Sequence, residues 1–270
     1  MNKISVVMSV YKNDKLEWLR ESVDSILNQT YENFDLFIAV DGPVSDTLME
    51  YVEGLSIKEN VNVFYFEECC GLAARLNFLI KKVLLDPDVR FIARMDADDI
   101  SMPDRLQKQL NYILQNELDV IGSSVVEFCL ETGVRHSKKS VIYDDDLKKN
   151  IVVRCPFNHP TVLFRREVFD SGIKYDESLK NTQDYKLWVD MAFQGMLFGN
   201  VAEPLLQFRI SKDFHKRRGF KKAKNDFYLR FYAMRKLRLY SFRNLLAAFS
   251  ILVLRISPEA VTKFAYKYLR

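Results

Sequence analysis

The ten residues RFIARMDADD, at positions 90–99, join an apolar run to three carboxylates. The run predicts a buried β-strand, and the aspartates follow where that strand ends. Asp96 and Asp98 are separated by one residue, so both side chains leave the same face of an extended segment. Carboxylates suit Mg²⁺ or Mn²⁺, which take one or two of them and complete their shell with substrate phosphates. The segment therefore predicts a divalent-metal site, and the open alternative is that its last residues only cap the helix beginning near Pro103.

Strand and helix signals alternate on the N-terminal side of this segment. β-rich runs at residues 4–10, 34–40 and 62–66 predict three more strands, and apolar residues at helical spacing predict a helix after each. The turn signal Asp41-Gly42-Pro43 ends the second strand. This order predicts an α/β fold with a mostly parallel central sheet flanked by helices, and with ligands at the carboxyl ends of the strands. Beyond residues 120–128 the pattern becomes mixed.

Composition and missing motifs exclude several classes of protein. The 270 residues are 48% apolar and 13% aromatic with only 9 Gly and 7 Pro, which excludes collagen-like, low-complexity and disordered chains. Neither G-x-G-x-x-G nor G-x-x-x-x-G-K-[ST] occurs, which argues against a Rossmann dehydrogenase and a P-loop NTPase. The four cysteines lack metal or redox spacing. Because the longest apolar run is too short for a bilayer and no cleavage site follows the N-terminus, we expect a cytoplasmic protein without a membrane span.

The net charge of +4 conceals two segments of opposite sign. Residues 212–270 contain 16 Lys and Arg against 3 Asp and Glu, a charge of +13, which leaves −9 for residues 1–210. We therefore expect a catalytic domain over 1–210 and a basic amphipathic helical tail over 211–270. Such helices lie in anionic membrane interfaces, and the alternative is that they pack on the domain or on a partner. The first apolar stripe of the tail consists of Phe220, Ala223, Phe227, Phe231, Met234 and Leu237.

Several short motifs resemble family 2 glycosyltransferases, and their order and spacing match over the first 110 residues. They are SVVMSVYKN at 5–13, SVDSILNQTY at 22–31, Val40-Asp41-Gly42, Gly71-Leu72-Ala73, Asn77 and MDADD at 95–99. Further on, NHPT at 158–161, QDYKLW at 183–188 and EPL at 203–205 look like the branch that builds bacterial capsule, O-antigen and exopolysaccharide. The resemblance implies a GT-A fold, a nucleotide-sugar donor and inversion at the anomeric carbon.

The resemblance also assigns residues to the donor and the metal. The implied donor-binding residues are Val10, Tyr11, Asp41, Gly71, Asn77, Asp96 and Asp99, and the implied metal ligands are Asp98 and Asp96. Within that set Tyr11 can stack on uracil, and Asp41 can accept a hydrogen bond from its imide N–H. The sequence departs from the family at Val40, where a first aspartate is common, and at Cys69, where an asparagine is common.

Transfer to an acceptor hydroxyl requires a group that removes its proton, either a positioned carboxylate or an imidazole. We assign this role to Asp184, which matches the family's base, and the alternative is a helix N-cap. The implied acceptor or diphosphate contacts are His159, Trp188, His215, Arg217 and Arg218. For His159 the alternative is a hydrogen-bonded structural imidazole, and for the last three residues it is a solvated cationic loop.

These features predict a metal-dependent, inverting glycosyltransferase with Mn²⁺ or Mg²⁺ as cofactor. We expect it to move a hexose, with galactose or glucose as first choice, from a UDP-sugar to a polyprenyl-diphosphate-linked sugar in bacterial surface polysaccharide biosynthesis. We expect it to be peripheral on the inner face of the cytoplasmic membrane and not to bind nucleic acid, since no recognition motif accompanies its basic residues. The alternatives are a Mg²⁺-dependent nucleotidyl- or phosphotransferase and a non-enzymatic membrane-surface scaffold. The motifs predict no oligomeric state.

Overall fold

A nine-stranded mixed sheet forms the centre of the computed structural model, which describes residues 2–210 and 220–256. The strands are β1 (Lys3–Tyr11), β2 (Phe34–Asp41), β3 (Val61–Phe66), β4 (Val89–Asp96), β5 (Ile100–Ser101), β6 (Val120–Phe128), β7 (Arg135–Lys138), β8 (Leu163–Arg165) and β9 (Phe198–Arg209). They lie side by side in the order β3-β2-β1-β4-β8-β6-β9-β5, and β7 pairs with the second half of β6.

Helices lie on both sides of this sheet. In the described residues they are α1 (Leu16–Leu27), α2 (Asp46–Leu55), α3 (Leu72–Val83), α4 (Arg105–Gln115), α5 (Asp144–Lys149), α6 (Glu167–Asp170), α7 (Gln183–Phe193), α8 (Phe220–Lys236) and α9 (Phe242–Ile256), with a 3₁₀ turn at His159–Thr161. The predicted α/β fold with a central sheet flanked by helices is confirmed.

The first four strands form the parallel half of the sheet. Strand β1 pairs in parallel with β2 and β4, and β2 pairs in parallel with β3. The register places Tyr11 opposite Asp41 and Ser9 opposite Asp96. The carboxyl ends of these strands therefore meet at one edge, which is where parallel α/β sheets bind ligands.

The second half of the sheet is mixed, as the sequence pattern indicated. Strand β8 lies antiparallel between β4 and β6, and β9 runs parallel to β6 with a register shift around Ser124. The two-residue strand β5 then pairs antiparallel with β9. Because β5 begins one residue after Asp99, this pairing brings the carboxylate segment against the end of β9.

Two hydrophobic cores lie on the two faces of the sheet, because successive strand residues point in opposite directions. Val6 and Ile38 pack in the core formed with α1, α2 and α4. Their neighbours Val7 and Ala39 pack in the core formed with α3 and α7. Strands buried on both faces need mostly apolar sequence, which explains the predominance of apolar residues in β1 and β2.

Helix α8 belongs to the second of these cores. Leu229, Ala233 and Met234 are at most 1% exposed and pack in the same cluster as Trp188 of α7. Ala223 and Met234 of the predicted apolar stripe are 0% exposed, and Met234 packs in this core, which agrees with the packing alternative considered above for the tail. Residues 257–270, the end of the predicted helical tail, lie outside the described residues. Among the described helices, none combines the length and the apolar character that crossing a bilayer requires.

Candidate active site

Three carboxylates converge where β4 ends. Asp96, Asp98 and Asp99 each offer an oxygen that lies within 4.8 Å of the others. Because β4, β1 and β2 pair in parallel, their carboxyl ends meet at one edge of the sheet, and this cluster lies at that edge. The sequence-predicted metal ligands are therefore adjacent and lie at the ligand-binding edge.

Asp99 plays a different part from its two neighbours, because it is 1% exposed and tied to β9. Its Oδ1 accepts a hydrogen bond from the backbone N–H of Arg209 at 2.8 Å. The Arg209 side chain also donates from Nε to the backbone oxygen of Asp98 at 2.7 Å and pairs with Glu21. Asp99 thus fixes the segment to the sheet, and half-buried Asp96 and Asp98 are the more accessible carboxylates of the three.

Burial and neighbouring negative charge raise the pKa of two of these carboxyls, Asp98 and Asp99. Burial, followed by the negative charge of Asp96, raises the pKa of Asp98 to about 6. Burial and the negative charges of Asp96 and Asp98 raise the pKa of Asp99 well above its ordinary value. A divalent cation would relieve this repulsion, and two accessible carboxylates match what Mg²⁺ or Mn²⁺ takes from a protein when phosphates supply further ligands. The residues present therefore fit such an ion.

A fourth carboxylate, Asp14, was missed from the sequence. It lies in the loop after β1, and its Oδ2 accepts a hydrogen bond from the backbone N–H of Tyr11 at 2.9 Å. Burial, with the charges of Asp98 and Asp96, raises its pKa to about 7. The signal was available, since a loop that follows β1 must end beside the loop that follows β4 in a parallel sheet.

Asp41, at the end of β2, is the centre of a buried clamp. Its Oδ1 accepts from the backbone N–H of Cys70 at 2.9 Å and from Arg75 Nε at 2.6 Å. Its Oδ2 accepts from the backbone N–H of Gly71 at 2.8 Å and from Cys69 Sγ at 3.3 Å. Burial alone would raise the pKa of Asp41, but these hydrogen bonds hold it below the ordinary value. The carboxylate that could read uracil thus already accepts four hydrogen bonds within the chain.

The other predicted donor residues divide into exposed and structural ones. Tyr11 is 41% exposed at the end of β1, whereas Val10 beside it is fully buried. Gly71 has φ of +90° just before α3, a backbone conformation that favours glycine. The Asn77 side chain exchanges two hydrogen bonds of 2.9 Å with the backbone of Tyr175, so its amide holds α3 to that segment.

Asp184 lies in the first turn of α7, where its carboxylate is half-buried. The N-cap of this helix is Thr182, with φ of +61°, so the alternative of Asp184 as the N-cap is wrong. Burial raises the pKa of Asp184, although the backbone N–H of Tyr185 and the charge of Arg94 oppose the shift. A carboxylate of raised pKa is a stronger base than an ordinary aspartate.

Two predicted acceptor contacts are buried. His159 is 9% exposed, and its Nε2 is 2.8 Å from the hydroxyl oxygen of Tyr175. Burial lowers the pKa of His159 well below its ordinary value, so the ring is neutral and matches the structural imidazole considered above. Trp188 is 0% exposed and packs with Phe157 and Phe164 at centroid distances of 4.9 and 5.8 Å. A direct contact of Trp188 with an acceptor is therefore wrong, because the ring is enclosed in the core.

The remaining predicted contacts are His215, Arg217 and Arg218. They fall in residues 211–219, outside the described part of the chain.

Comparison with known proteins extends these observations. Residues 5–172 match the family described as glycosyl transferase family 2. An O-antigen biosynthesis glycosyltransferase from Escherichia coli, WbnJ, is 32% identical over 212 residues, which cover 78% of this chain and 80% of the relative. A second Escherichia coli relative is named UDP-Gal:alpha-D-GlcNAc-diphosphoundecaprenol beta-1,3-galactosyltransferase, and it is 31% identical over 219 residues, or 80% of this chain and 78% of its own.

A solved structure shares the fold. The crystal structure of S. aureus TarS 1-349 in complex with UDP-GlcNAc superposes with a TM-score of 0.67 at 17% identity, and the match covers 98% of this chain and 76% of TarS 1-349. This likeness supports the fold alone, and the expected GT-A type is confirmed. With the family match over more than half of its length and two relatives above 30% identity, the chain belongs to glycosyl transferase family 2, as its motifs predicted.

Proposed function

We propose that the protein transfers a hexose, with galactose or glucose as first choice, from a UDP-sugar to a polyprenyl-diphosphate-linked sugar, with inversion at the anomeric carbon. The observation that carries this proposal is the convergence of Asp96 and Asp98 at the ligand-binding edge of the sheet. One relative is named for transfer of galactose from UDP-Gal to a diphosphoundecaprenol-linked sugar, which supports the donor and acceptor classes. Because the chain is a glycosyltransferase, the phosphotransferase and scaffold alternatives fall away.

On the donor side, Asp96 and Asp98 would hold Mn²⁺ or Mg²⁺. Such an ion supplies Lewis-acid stabilisation of the charge that develops on the departing nucleoside diphosphate. The chain itself orients the nucleotide: exposed Tyr11 offers a ring for the base, and the clamp around Asp41 holds the loop at residues 69–71. A direct hydrogen bond from the uracil imide to Asp41 requires that one of its present partners be displaced. In this proposal Asn77 supports the loop after Tyr175, and Asp99 fixes the metal segment.

On the acceptor side, Asp184 takes the proton of the attacking hydroxyl at one of its carboxylate oxygens. Its charge interacts with Arg94, and Arg94 pairs with Asp96, so base and metal ligand share one buried cation. His215, Arg217 and Arg218 stay proposed as diphosphate contacts, since guanidinium groups bind phosphate in a bidentate manner.

Membrane attachment is proposed through one face of α9. Phe242, Leu246, Phe249 and Val253 are 82%, 57%, 51% and 56% exposed and recur at four-, three- and four-residue intervals, so they share one side of the helix. Residues 220–256 contain nine Lys and Arg and one acidic residue, a balance that favours anionic lipid. The proposed organisation is therefore a catalytic domain over 1–210, with a segment over 211–270 that brings it to the inner face of the cytoplasmic membrane.

Transfer assays on the full chain test the proposal. UDP-, GDP- and dTDP-sugars are offered with polyprenyl-diphosphate-linked acceptors and Mn²⁺, and the linkage of the product is determined. Asp98→Asn should reduce transfer by at least about a hundredfold, because it removes a carboxylate proposed to hold the cation. Asp104→Asn is the matched control, since Asp104 is 43% exposed and pairs only with Lys108 among the ion pairs described. Equal activity of the two variants contradicts the metal assignment.

The base assignment is tested separately. Asp184→Asn should lower kcat by a factor of about 10² to 10⁴, the usual contribution of a general base, while UDP binding stays unchanged. Normal turnover by this variant contradicts the assignment.

A further inference from the structure

Arg94 is a buried cation next to the carboxylate cluster. It lies on β4 two residues before Asp96, so the two side chains leave the same face of the strand. Its side chain is only 3% exposed. Since a buried charge loses favourable hydration, its surroundings must compensate for that loss.

The hydrogen bonds of the Arg94 guanidinium compensate only in part for its loss of hydration. Its Nη2 pairs with Oδ1 of Asp96. Its Nε and Nη1 are buried and meet no acceptor within residues 2–210 and 220–256. Unpaired buried donors destabilise a fold, so the position is a poor one for an arginine that serves only packing. The negative charges around the Arg94 guanidinium are therefore what can stabilise it in this buried position.

Negative groups converge on the same guanidinium. It interacts electrostatically with Asp98 and Asp99 of the cluster and with Asp184 at the start of α7. Asp14 adds a carboxylate that interacts with Asp96 and Asp98. The site therefore presents several carboxylates to a donor whose diphosphate is itself anionic. Arg105 and Arg209 also interact with the cluster, and Arg94 interacts both with the cluster and with Asp184.

We propose that Arg94 is a positioning residue for donor binding, whose buried positive charge offsets the converging carboxylates and keeps Asp96 directed into the crevice. The inference rests on the proposed function, because it assumes that a nucleoside diphosphate and its cation bind there. Its effect is exerted through Asp96 and through the net charge of the site, without contact between Arg94 and the sugar. Removal of the charge should therefore weaken nucleotide binding, and a lysine at the same position should preserve most of it.

The test measures the binding of UDP to the full chain in the presence of Mn²⁺ by isothermal titration calorimetry. Arg94→Met should raise the dissociation constant by about tenfold or more, since uncompensated like charges at a binding site weaken binding on this scale. Arg94→Lys should stay within about threefold of the unaltered chain, because the adjacent Asp96 carboxylate favours the charged form of a lysine at this position. Arg90→Met is the matched control: Arg90 lies on the same strand, is 55% exposed and pairs with Glu167.

A double variant separates charge from packing. At about pH 8, above the pKa of about 7 of Asp14, Asp14→Asn added to Arg94→Met removes one negative charge where one positive charge was lost. If Arg94 acts through its charge, the double variant should recover at least about threefold of the lost affinity, a coupling that a packing role does not produce. Should Arg94→Met fail to fold in a thermal melt, Arg94→Lys decides: binding within about threefold supports the inference, and a loss of about tenfold overturns it.

Two results overturn the inference in folded proteins. One is that Arg94→Met binds UDP as tightly as the Arg90→Met control, and the other is that Arg94→Lys binds as weakly as Arg94→Met. If the unaltered chain binds no UDP with Mn²⁺, the proposed function itself is refuted. The two failures are therefore distinguishable.

Discussion

The buried pair of Arg75 and Asp41 allows a quantitative test of how the nucleotide side of the crevice is held. Arg75 Nε donates to Asp41 Oδ1 at 2.6 Å, and both side chains are less than a tenth exposed. The guanidinium also bonds the backbone oxygen of Glu68 and lies 3.6 Å from the ring centroid of Phe66. Arg75→Met removes all three interactions while it keeps an unbranched apolar side chain.

The expected magnitude follows from what is left behind. Removing one partner of a buried ion pair costs about 3–5 kcal/mol, because the other charge stays buried without compensation. Asp41 would keep the backbone N–H groups of Cys70 and Gly71, so we expect the lower end, a loss of about 3 kcal/mol in the free energy of unfolding. Lys108→Met is the control, since its pairs with Glu203 and Asp104 are exposed and should contribute little to stability.

Urea-induced unfolding, followed by circular dichroism, gives both free energies from their linear dependence on urea concentration. The same Arg75→Met variant should bind UDP more weakly, because the loop at residues 69–71 loses part of its anchor. A loss of about 1 kcal/mol or less, or a loss equal to that of the control, refutes the reasoning, since it means that the pair behaves like an exposed one.

Three further predictions concern other parts of the molecule. Because burial raises the pKa of Asp14 to about 7, the stabilising contribution of its protonated form is lost as the pH rises through about 7. Asp14→Asn should therefore raise the melting temperature more at about pH 8 than at about pH 5. The same substitution at exposed Asp104 should show no such pH dependence. Leu246→Asp on α9 should reduce flotation with anionic vesicles, most clearly at low salt, whereas Leu85→Asp, a control at another exposed leucine, should float like the unaltered chain. Unchanged flotation of both variants contradicts the proposed membrane-binding face of α9. Tyr175→Phe removes the hydrogen-bond partner of a buried imidazole and should lower the free energy of unfolding by about 1–3 kcal/mol in calorimetry, so equal stability would count against that bond.

The parallel half of the sheet was predictable because its signal is local. Strands buried on both faces need mostly apolar sequence, and β1, β2 and β4 are each mostly apolar. The carboxylates proposed to hold the metal were predictable for the same reason, since Asp96 ends such a strand and Asp98 lies just beyond it. The mixed half was predicted only as irregular, because nothing local says that β8 inserts between β4 and β6.

The details that failed depend on partners distant in sequence. The clamp on Asp41 is built by residues 69–75, which reach it only once α3 packs beside β2. Trp188 occurs in a motif that resembled an acceptor site, but the aromatic cluster that encloses it is assembled from residues 157–188 by folding. The apolar stripe of α8 is visible in the sequence, yet an amphipathic pattern does not tell what will cover it, and here the catalytic domain covers Met234.

The bond between Asp99 and Arg209 has a practical consequence for exchanging parts between related enzymes. Arg209 is the last residue of β9, and its backbone N–H and side chain hold the Asp99 carboxylate and the Asp98 backbone in the segment proposed to bind the metal. A chimera that takes its C-terminal part from a relative should therefore be joined after Arg209. A junction placed earlier in β9 replaces Arg209 by a residue of the relative and should alter the geometry of the proposed cation site, even though every carboxylate of the parent is retained.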